Sequence, residues 1–394
     1  MTAAARGPLR GVYVHFPYCD RRCPYCDFVL VTPKAVPSRA YTDALLTEWS
    51  WRRPIEVDGP LGTLYLGGGT PSLWDPVELA RLVARLEADV GFVAGAERTI
   101  EANPEQVTEA WLDAVTALGF NRVSLGVQSL DDDALVRLGR AHGRQGAEAA
   151  LGLLAAARSD GRLQSFSLDL IYGWQGQTLT MWRAELAEVL ARWAPPHLSL
   201  YALTVEPRTV LGKKVREGLA RGPDDGLQAE MMFEARRILR DAGMVHYEVS
   251  SWATPGHIAV HNSRYWDMSP WVGLGAGAAG FTGARRYRNQ AVIRRYLEAI
   301  AADRPLDLED ESSLPNARDL AFDAVMTGLR RLDLGLLWTL ALAGHFEAAA
   351  RREEAAGRLV FEPNADGLRV RLTDEGLRFM DDVLLALLDA EDGV

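Results

Sequence analysis

The sequence predicts an α/β fold: a partial, TIM-like (β/α)6 barrel followed by a C-terminal, mostly helical, winged-helix-like accessory domain. Three observations predict it. In the first two hundred residues six short apolar runs alternate with six amphipathic stretches, the pattern of a parallel sheet with right-handed helical crossovers. Polar or glycine-rich residues stand where five of those runs end, the end at which such folds carry their chemistry. Beyond residue 315 the alternation gives way to three helical patterns around one hairpin-like piece.

The apolar runs at 11–16, 63–66, 98–101, 122–127, 165–171 and 198–203 read as strands. The stretches at 38–53, 76–90, 105–118, 132–138, 144–157 and 181–193 have apolar residues at helical spacing. The first run leads into the three cysteines, the second into Gly67-Gly68-Gly69-Thr70-Pro71. The third ends in Glu101-Ala102-Asn103-Pro104 and the fourth in Gly126-Val127-Gln128-Ser129; the fifth carries Asp169 and ends in Tyr172-Gly173. A charged stretch at 208–225, a helix at about 226–242 and a short run at 245–250 follow. Residues 252–288 are rich in glycine and aromatics without a clear period, and 303–316 is acidic, proline-bearing and reads as a linker. Helical patterns at 317–332, 336–352 and 373–388 flank a hairpin-like piece at 359–372. The expected division is a barrel over 1–250, an irregular segment with linker over 251–314, and an accessory domain over 315–394.

Composition narrows the function. The chain has 53 acidic and 43 basic side chains and a net charge of −10, so a general nucleic-acid role is not expected. No apolar run approaches the ~18 residues of a membrane span. The opening MTAAARGPLRG has no apolar core of a secretory signal, and no lipidation or basic amphipathic anchor is apparent. The expected location is cytoplasmic, peripheral at a membrane at most. The three cysteines, Cys19, Cys23 and Cys26, fall in one eight-residue window. An odd, clustered set is no disulfide framework and points to a reducing compartment.

Their spacing is C-x3-C-x2-C, in Tyr13-Val-His-Phe-Pro-Tyr-Cys19-Asp-Arg-Arg-Cys23-Pro-Tyr-Cys26-Asp-Phe28. Three thiolates on one loop can hold three irons of a [4Fe-4S] cluster and leave the fourth open to a small molecule. A zinc site is the alternative and needs a fourth ligand, with His15 the nearest histidine.

This loop resembles that of the radical S-adenosylmethionine (SAM) superfamily. Leu66-Gly-Gly-Gly-Thr-Pro-Ser72, Glu101-Ala-Asn-Pro104, Asn121-Arg-Val-Ser-Leu-Gly-Val-Gln-Ser129, Asp169-Leu-Ile-Tyr-Gly173 and Leu372-Thr-Asp-Glu-Gly376 resemble its HemN/HemW branch. The resemblance implies a cluster on Cys19, Cys23 and Cys26, with SAM chelating the open iron and cleaved reductively to a 5′-deoxyadenosyl radical. It implies that Gly68, Gly69 and Thr70 form the SAM loop, with exposed amides meeting the SAM carboxylate. Glu101, Gln128, Arg140 and Asp169 would line the SAM region, with Tyr13 and Tyr25 near the sulfonium and adenine; a solvated surface role is the alternative for Arg140. The resemblance names no catalytic acid, base or nucleophile beyond these.

Within the branch, the ending Cys26-Asp27-Phe28 and the motif His261-Asn262-Ser-Arg-Tyr265-Trp266 resemble the HemW type rather than the coproporphyrinogen III dehydrogenases. That implies a haem chaperone, with His261 the haem-associated residue and His257 a second candidate. The implied partners are haem, haem-accepting proteins and an electron donor such as flavodoxin or ferredoxin. A radical enzyme, either a coproporphyrinogen dehydrogenase or a HemN-like methyltransferase, is the competing reading, and a binding module that has lost radical chemistry is a third. Two departures from the branch pattern stand out: Ala276 and Ala279 where a thiol and an imidazole are usual, and Trp174-Gln175 where Leu-Pro is usual. The indole is expected to reshape the mouth beside SAM.

Overall fold

The computed structural model describes residues 9–389. Six parallel strands, β1 (Gly11–Phe16), β2 (Leu61–Gly68), β3 (Phe92–Ala102), β4 (Arg122–Gln128), β5 (Ser165–Tyr172) and β6 (His197–Ala202), lie side by side in chain order. The crossovers are α1 (Ser38–Glu56), α2 (Pro76–Asp89), α3 (Glu109–Ala117), the pair α4 (Asp132–Arg137) and α5 (Gly143–Ser159), and α6 (Leu179–Arg192). Side chains alternate along the strands. Val12, Val14, Leu64, Leu66, Ile100, Val123, Leu125, Leu168, Leu170 and Leu198 are fully buried in the main core. The opposite face carries Tyr13, Tyr65, Glu101, Ser124 and Asp169, which hydrogen-bond among themselves and with their neighbours. The barrel therefore has an apolar coat under its helices and a polar interior, a period-2 pattern that fixes strand register.

After β6 come α7 (Val210–Arg216) and α8 (Asp225–Asp241), then the hairpin β7 (Val245–Glu248) and β8 (Ser251–Ala253), which closes the β6 edge antiparallel. The stretch expected to be irregular is built into the sheet. It holds α9 (Val260–Trp266), β9 (Trp271–Leu274), β10 (Ala279–Phe281) and β11 (Arg286–Asn289), with β9 parallel to β1. Helix α10 (Ile293–Ala301) follows. The expected linker contains an edge strand, β12 (Glu309–Ser313), so the sheet runs to twelve strands.

The C-terminal region is α11 (Ala317–Gly328), β13 (Leu336–Leu337), α12 (Leu340–Ala355), β14 (Leu359–Asn364), β15 (Gly367–Leu372), α13 (Asp374–Arg378) and α14 (Met380–Leu388). It has its own core around Val325, Phe346, Val370 and Val383. The expected last helix is broken at Phe379, whose backbone (φ −115°, ψ 38°) leaves the helical region. This region joins the barrel through Leu332 N to Tyr247 O (2.9 Å), the Arg236–Asp374 ion pair and the packing of α11 on α9.

Candidate functional site

The carboxyl ends of β1–β6 open on a cavity of about 580 Å³. Its wall includes all three cysteines together with Tyr25, Gly68, Gly69, Thr70, Glu101, Gln128, Arg140 and Asp169. Residues drawn from five strands and the loops after them thus meet at one place.

The cysteine loop is tied down by its own backbone. Cys19 N donates to Val31 O (3.0 Å), Val31 N to Pro17 O (2.8 Å) and Arg22 to Leu30 O (2.7 Å). His15 Nε2 meets Val29 O (2.7 Å); a carbonyl only accepts, so the proton is on Nε2 and Nδ1 accepts from the Tyr13 hydroxyl (2.9 Å). Both ring nitrogens of His15 are thus committed elsewhere than to a zinc site. Among the described residues no three Cys, His, Asp or Glu groups converge on one ion-sized point. Three soft thiols spread around one cavity fit a cubic cluster, which takes each sulfur at a different iron. Thr70 Oγ1 donates to Cys19 Sγ (3.2 Å) and Arg140 Nη1 lies 3.7 Å from Cys23 Sγ, so two sulfurs already have donors that offset thiolate charge. Burial pushes the Cys19 thiol up to about 11, a shift that a bound cation reverses.

The glycine turn is shaped for close approach. Gly68 has φ +114°, and a Cβ there would meet the His15 ring at 2.6 Å; a Cβ on Gly69 would lie 2.7 Å from Tyr18 O and 2.9 Å from Phe16 O. The amides expected to be exposed are already used. Gly69 N donates to Phe16 O, Thr70 N to Tyr18 O, and Gly68 N to Glu101 Oε2 (3.0 Å). The turn in this conformation therefore anchors the cysteine loop, and ligand contact falls to the side chains around it.

Glu101 accepts from Tyr65 (2.7 Å), and Asp169 accepts from Ser124 (3.1 Å) and Ser167 (3.2 Å). Burial pushes the Glu101 carboxyl up to about 7 and that of Asp169 up to about 6, against these donors. Gln128 sits at φ +74° on a bulge of β4, a costly conformation for a residue other than glycine, and it lines the cavity. Arg140 is half-buried, not a surface charge: Nη2 donates to Asn103 Oδ1 and Gly126 O, both at 2.6 Å.

Two expected residues lie apart from the cavity. Tyr13 is in the barrel interior, stacked on Tyr65 with ring centroids 6.1 Å apart. His261 is fully buried at the opposite end of the strands, where α9 closes the barrel floor. Its Nδ1 is 2.9 Å from Thr63 Oγ1 and its Nε2 2.9 Å from the Tyr265 hydroxyl, and burial pulls its pKa down to about 3. Glu97 accepts from the amides of Val260 and His261 at the start of α9. His257 is also on the floor, 3.1 Å from Ser165 Oγ. Ala276 is buried with its amide on Tyr41, Ala279 lies on β10, and Trp174 is buried with Arg137 above it at 6.0 Å. None of the three lines the cavity at the cysteines. Asn103, Ser124 and Tyr201 belong to that wall and were not singled out; Asn103 stood in the quoted Glu-Ala-Asn-Pro run, and Ser124 shares the inward face of β4 with Gln128.

A family model for the radical SAM superfamily matches residues 13–189. A protein of Mycobacterium tuberculosis named heme chaperone HemW is 36% identical over 96% of this chain and 94% of its own length. The chain belongs to the radical SAM superfamily, in its HemN/HemW branch. HemW of Lactococcus lactis is 33% identical, covering 75% of this chain and 76% of that protein. The mouse mitochondrial radical SAM domain-containing protein 1 is 40% identical over 71% of this chain, which spans 61% of the mouse protein's length. The solved structure of Escherichia coli HemN, titled coproporphyrinogen III oxidase, superposes with a TM-score of 0.80 over 98% of this chain and 92% of that one, at 22% identity, and so shares the fold. Among the described residues no helix is long and apolar enough to cross a membrane.

Two outcomes are expected of this HemN/HemW-branch site. A folded Glu101 holds its proton to about 7 whereas the unfolded group releases it near 4.5. The native state binds more protons in that window, so this group's contribution is complete below about 4.5 and lost as pH rises through about 7. Relative to Glu101→Gln, the wild type should lose about 1–3 kcal/mol between those pH values in denaturant melts of cluster-free protein; a pH-independent difference contradicts the assignment. His261→Gln should cost about 1–3 kcal/mol through its two buried partners while leaving cluster loading unchanged, read by melts and iron content.

Proposed function

We propose that this chain is a haem-handling radical SAM protein that binds a [4Fe-4S] cluster through Cys19, Cys23 and Cys26, binds SAM in the adjoining cavity, and delivers haem to haem-requiring proteins. The observation that carries it is the meeting of three thiols with Tyr25, Glu101, Gln128, Arg140 and Asp169 in one cavity. The haem part leans on the HemW relatives, whose name is heme chaperone. When bound, a reduced cluster supplies one electron to a sulfonium. The chain's own residues hold and orient. Arg140 and Thr70 steady the sulfurs, Glu101 and Asp169 offer acceptors to the amino and hydroxyl groups of SAM, and Tyr25 gives an apolar wall. The Asp27 that follows Cys26 pairs with Arg208 at 2.8 Å, fixing the end of the loop. An electron donor such as a flavodoxin or ferredoxin would reduce the cluster, in a reducing compartment.

The test is anoxic reconstitution followed by three assays: iron and sulfide content with a paramagnetic signal on reduction, 5′-deoxyadenosine release, and a haem titration. The expected result is a four-iron cluster, slow SAM cleavage without a partner, and stoichiometric haem uptake. Rapid turnover of coproporphyrinogen would replace the chaperone reading by the enzymatic one, and absence of the cluster would remove both.

A further inference from the structure

Beneath the cluster cavity the barrel interior holds a buried imidazole that is not part of the cavity wall. His197, at the start of β6, is 2% exposed. Strand pairing sets it opposite Ser167 of β5, and Ser199 opposite Asp169, so all four side chains share the inner face. His197 Nδ1 lies 2.7 Å from Ser167 Oγ, and Nε2 lies 2.7 Å from the Tyr247 hydroxyl. Ser167 has one hydroxyl proton and gives it to Asp169 Oδ1 (3.2 Å). Its contact with His197 is then one in which Nδ1–H donates. Burial holds the imidazole neutral, with a pKa well below its usual range, so Nε2 is bare and accepts from Tyr247. The Tyr247 oxygen accepts in turn from Ala259 N (3.4 Å). Every donor along Tyr247, His197 and Ser167 therefore points towards the Asp169 carboxylate. The far end of the chain is fixed, because the Tyr247 carbonyl receives Leu332 N where the C-terminal region joins the barrel.

We propose that His197 is a positioning residue for SAM binding: with Tyr247 behind it, it fixes the Ser167 proton on Asp169 and so keeps that carboxylate an ionised acceptor for SAM. The proposal rests on the reading of Asp169 as a SAM acceptor. Protonation of Asp169 reverses the chain. The carboxyl O–H then donates to Ser167 Oγ, Ser167 donates to Nδ1, and His197 becomes the Nε2–H tautomer facing the Tyr247 oxygen. Tyr247 is left to donate to the Ser251 hydroxyl beside it. One proton is gained, on Asp169, and the others each move by one place. The imidazole tautomer thus reports the state of a carboxylate it does not touch. Asp169 is also faced by Ser199 and Tyr201 of β6, Glu101 of β3, Tyr65 of β2 and Arg122 of β4, and His197 by Arg122 and His257. These groups are the same in every variant below, so each shift is read against wild type.

The test has three readouts on the full chain. Carboxyl carbon NMR of the cluster-free protein follows the Asp169 titration, with Asp169→Asn identifying its signal. Ring nitrogen NMR follows the His197 tautomer, and equilibrium dialysis of the reconstituted protein gives the SAM affinity. In wild type the tautomer should change from Nδ1–H to Nε2–H as pH falls through the Asp169 midpoint, at about 6. His197→Phe should raise that midpoint by about one pH unit and weaken SAM binding at neutral pH at least about threefold. His197→Asn puts an amide N–H near the place of Nδ1–H and should recover most of both. Ser167→Ala removes the last link and should act like His197→Phe, which keeps the proposal testable if the phenylalanine variant does not fold. An Asp169 midpoint that neither Ser167→Ala nor a folded His197→Phe moves would overturn the proposal, and so would equal effects of the asparagine and phenylalanine variants. Unchanged SAM affinity in Asp169→Asn would instead overturn the reading of Asp169 as a SAM acceptor, and the proposal with it.

Discussion

Replacing any one of Cys19, Cys23 and Cys26 by serine should lower reconstituted iron from about four per chain to below about one, while moving the melting curve of the cluster-free protein little. The two halves of this expectation come from different interactions. Cluster retention depends on three soft sulfur donors, and an alcohol is a hard, weakly acidic substitute. Loop geometry depends on hydrogen bonds that no cysteine side chain makes: Cys19 N to Val31 O, Val31 N to Pro17 O, and the amides of Gly69 and Thr70 to Phe16 O and Tyr18 O. A serine oxygen at position 19 can still accept from Thr70 Oγ1, so stability should change by less than about 1 kcal/mol. Iron content, visible absorbance and thermal melts on the same preparations check both halves. A serine variant that keeps a full complement of iron would show that the thiols are not the ligands. A variant that unfolds without the metal would show that the loop is held by the cysteines rather than by its backbone.

The six barrel strands and most of their helices were legible because each strand alternates faces and each crossover is long enough to show a helical period. Ser165–Tyr172 and Arg122–Gln128 start where the pattern starts and run one residue past it. The sheet beyond β8 was not legible. Strands β9, β10 and β11 have three or four residues, too few to display a period, and β9 joins β1 from more than 250 positions away in the chain. Strand β12 reads Glu-Asp-Glu-Ser-Ser, a composition that argues against a strand. It pairs because β11 brings basic residues opposite: Arg288 meets Glu311 and Asp310, and Arg285 from the preceding turn meets Glu309. In the site, the cysteines were legible from their spacing on one loop and Glu101 and Gln128 from their places at strand ends, whereas Asp169, inside β5, was marked by the resemblance. His261 was read from its motif as facing a ligand, and only the tertiary fold shows that α9 turns the ring into the barrel floor. Arg140 sat on a loop whose course back to Cys23 follows from the packing of α4 and α5.

Arg52→Met should destabilise the protein by about 3–5 kcal/mol, the largest loss expected of any single change outside the core. Arg52 is 6% exposed and lies among three carboxylates: Glu48 at 2.8 Å, Glu56 at 3.2 Å and Glu309 at 3.1 Å. It also donates to Asn289 Oδ1 (2.7 Å) and covers the Tyr287 ring at 4.0 Å. Burial opposes its charge, but Glu48, Tyr287 and Glu56 outweigh that and raise its pKa. Methionine keeps much of the volume and removes the cation, leaving Glu48, fully buried, to the neutral donors Gly275 N, Tyr296 and Asn289, Glu56 to Arg285 and the Tyr287 hydroxyl, and Glu309 to Arg285. An uncompensated buried carboxylate is the costly product, so Glu48→Gln with Arg52→Met should recover part of the loss; a double-mutant cycle in denaturant measures it. The site feels the same change. The network fastens α1 to β11 and β12, and α1 in turn holds the end of β1 through the Tyr41 hydroxyl, which donates to His15 O at 2.7 Å just before the cysteine loop. Arg52→Met should therefore lower the temperature at which reconstituted protein loses its iron absorbance, in parallel with the melt. A loss below about 1 kcal/mol would mean that the charges find water in the variant, and that the sheet extension is held by packing alone.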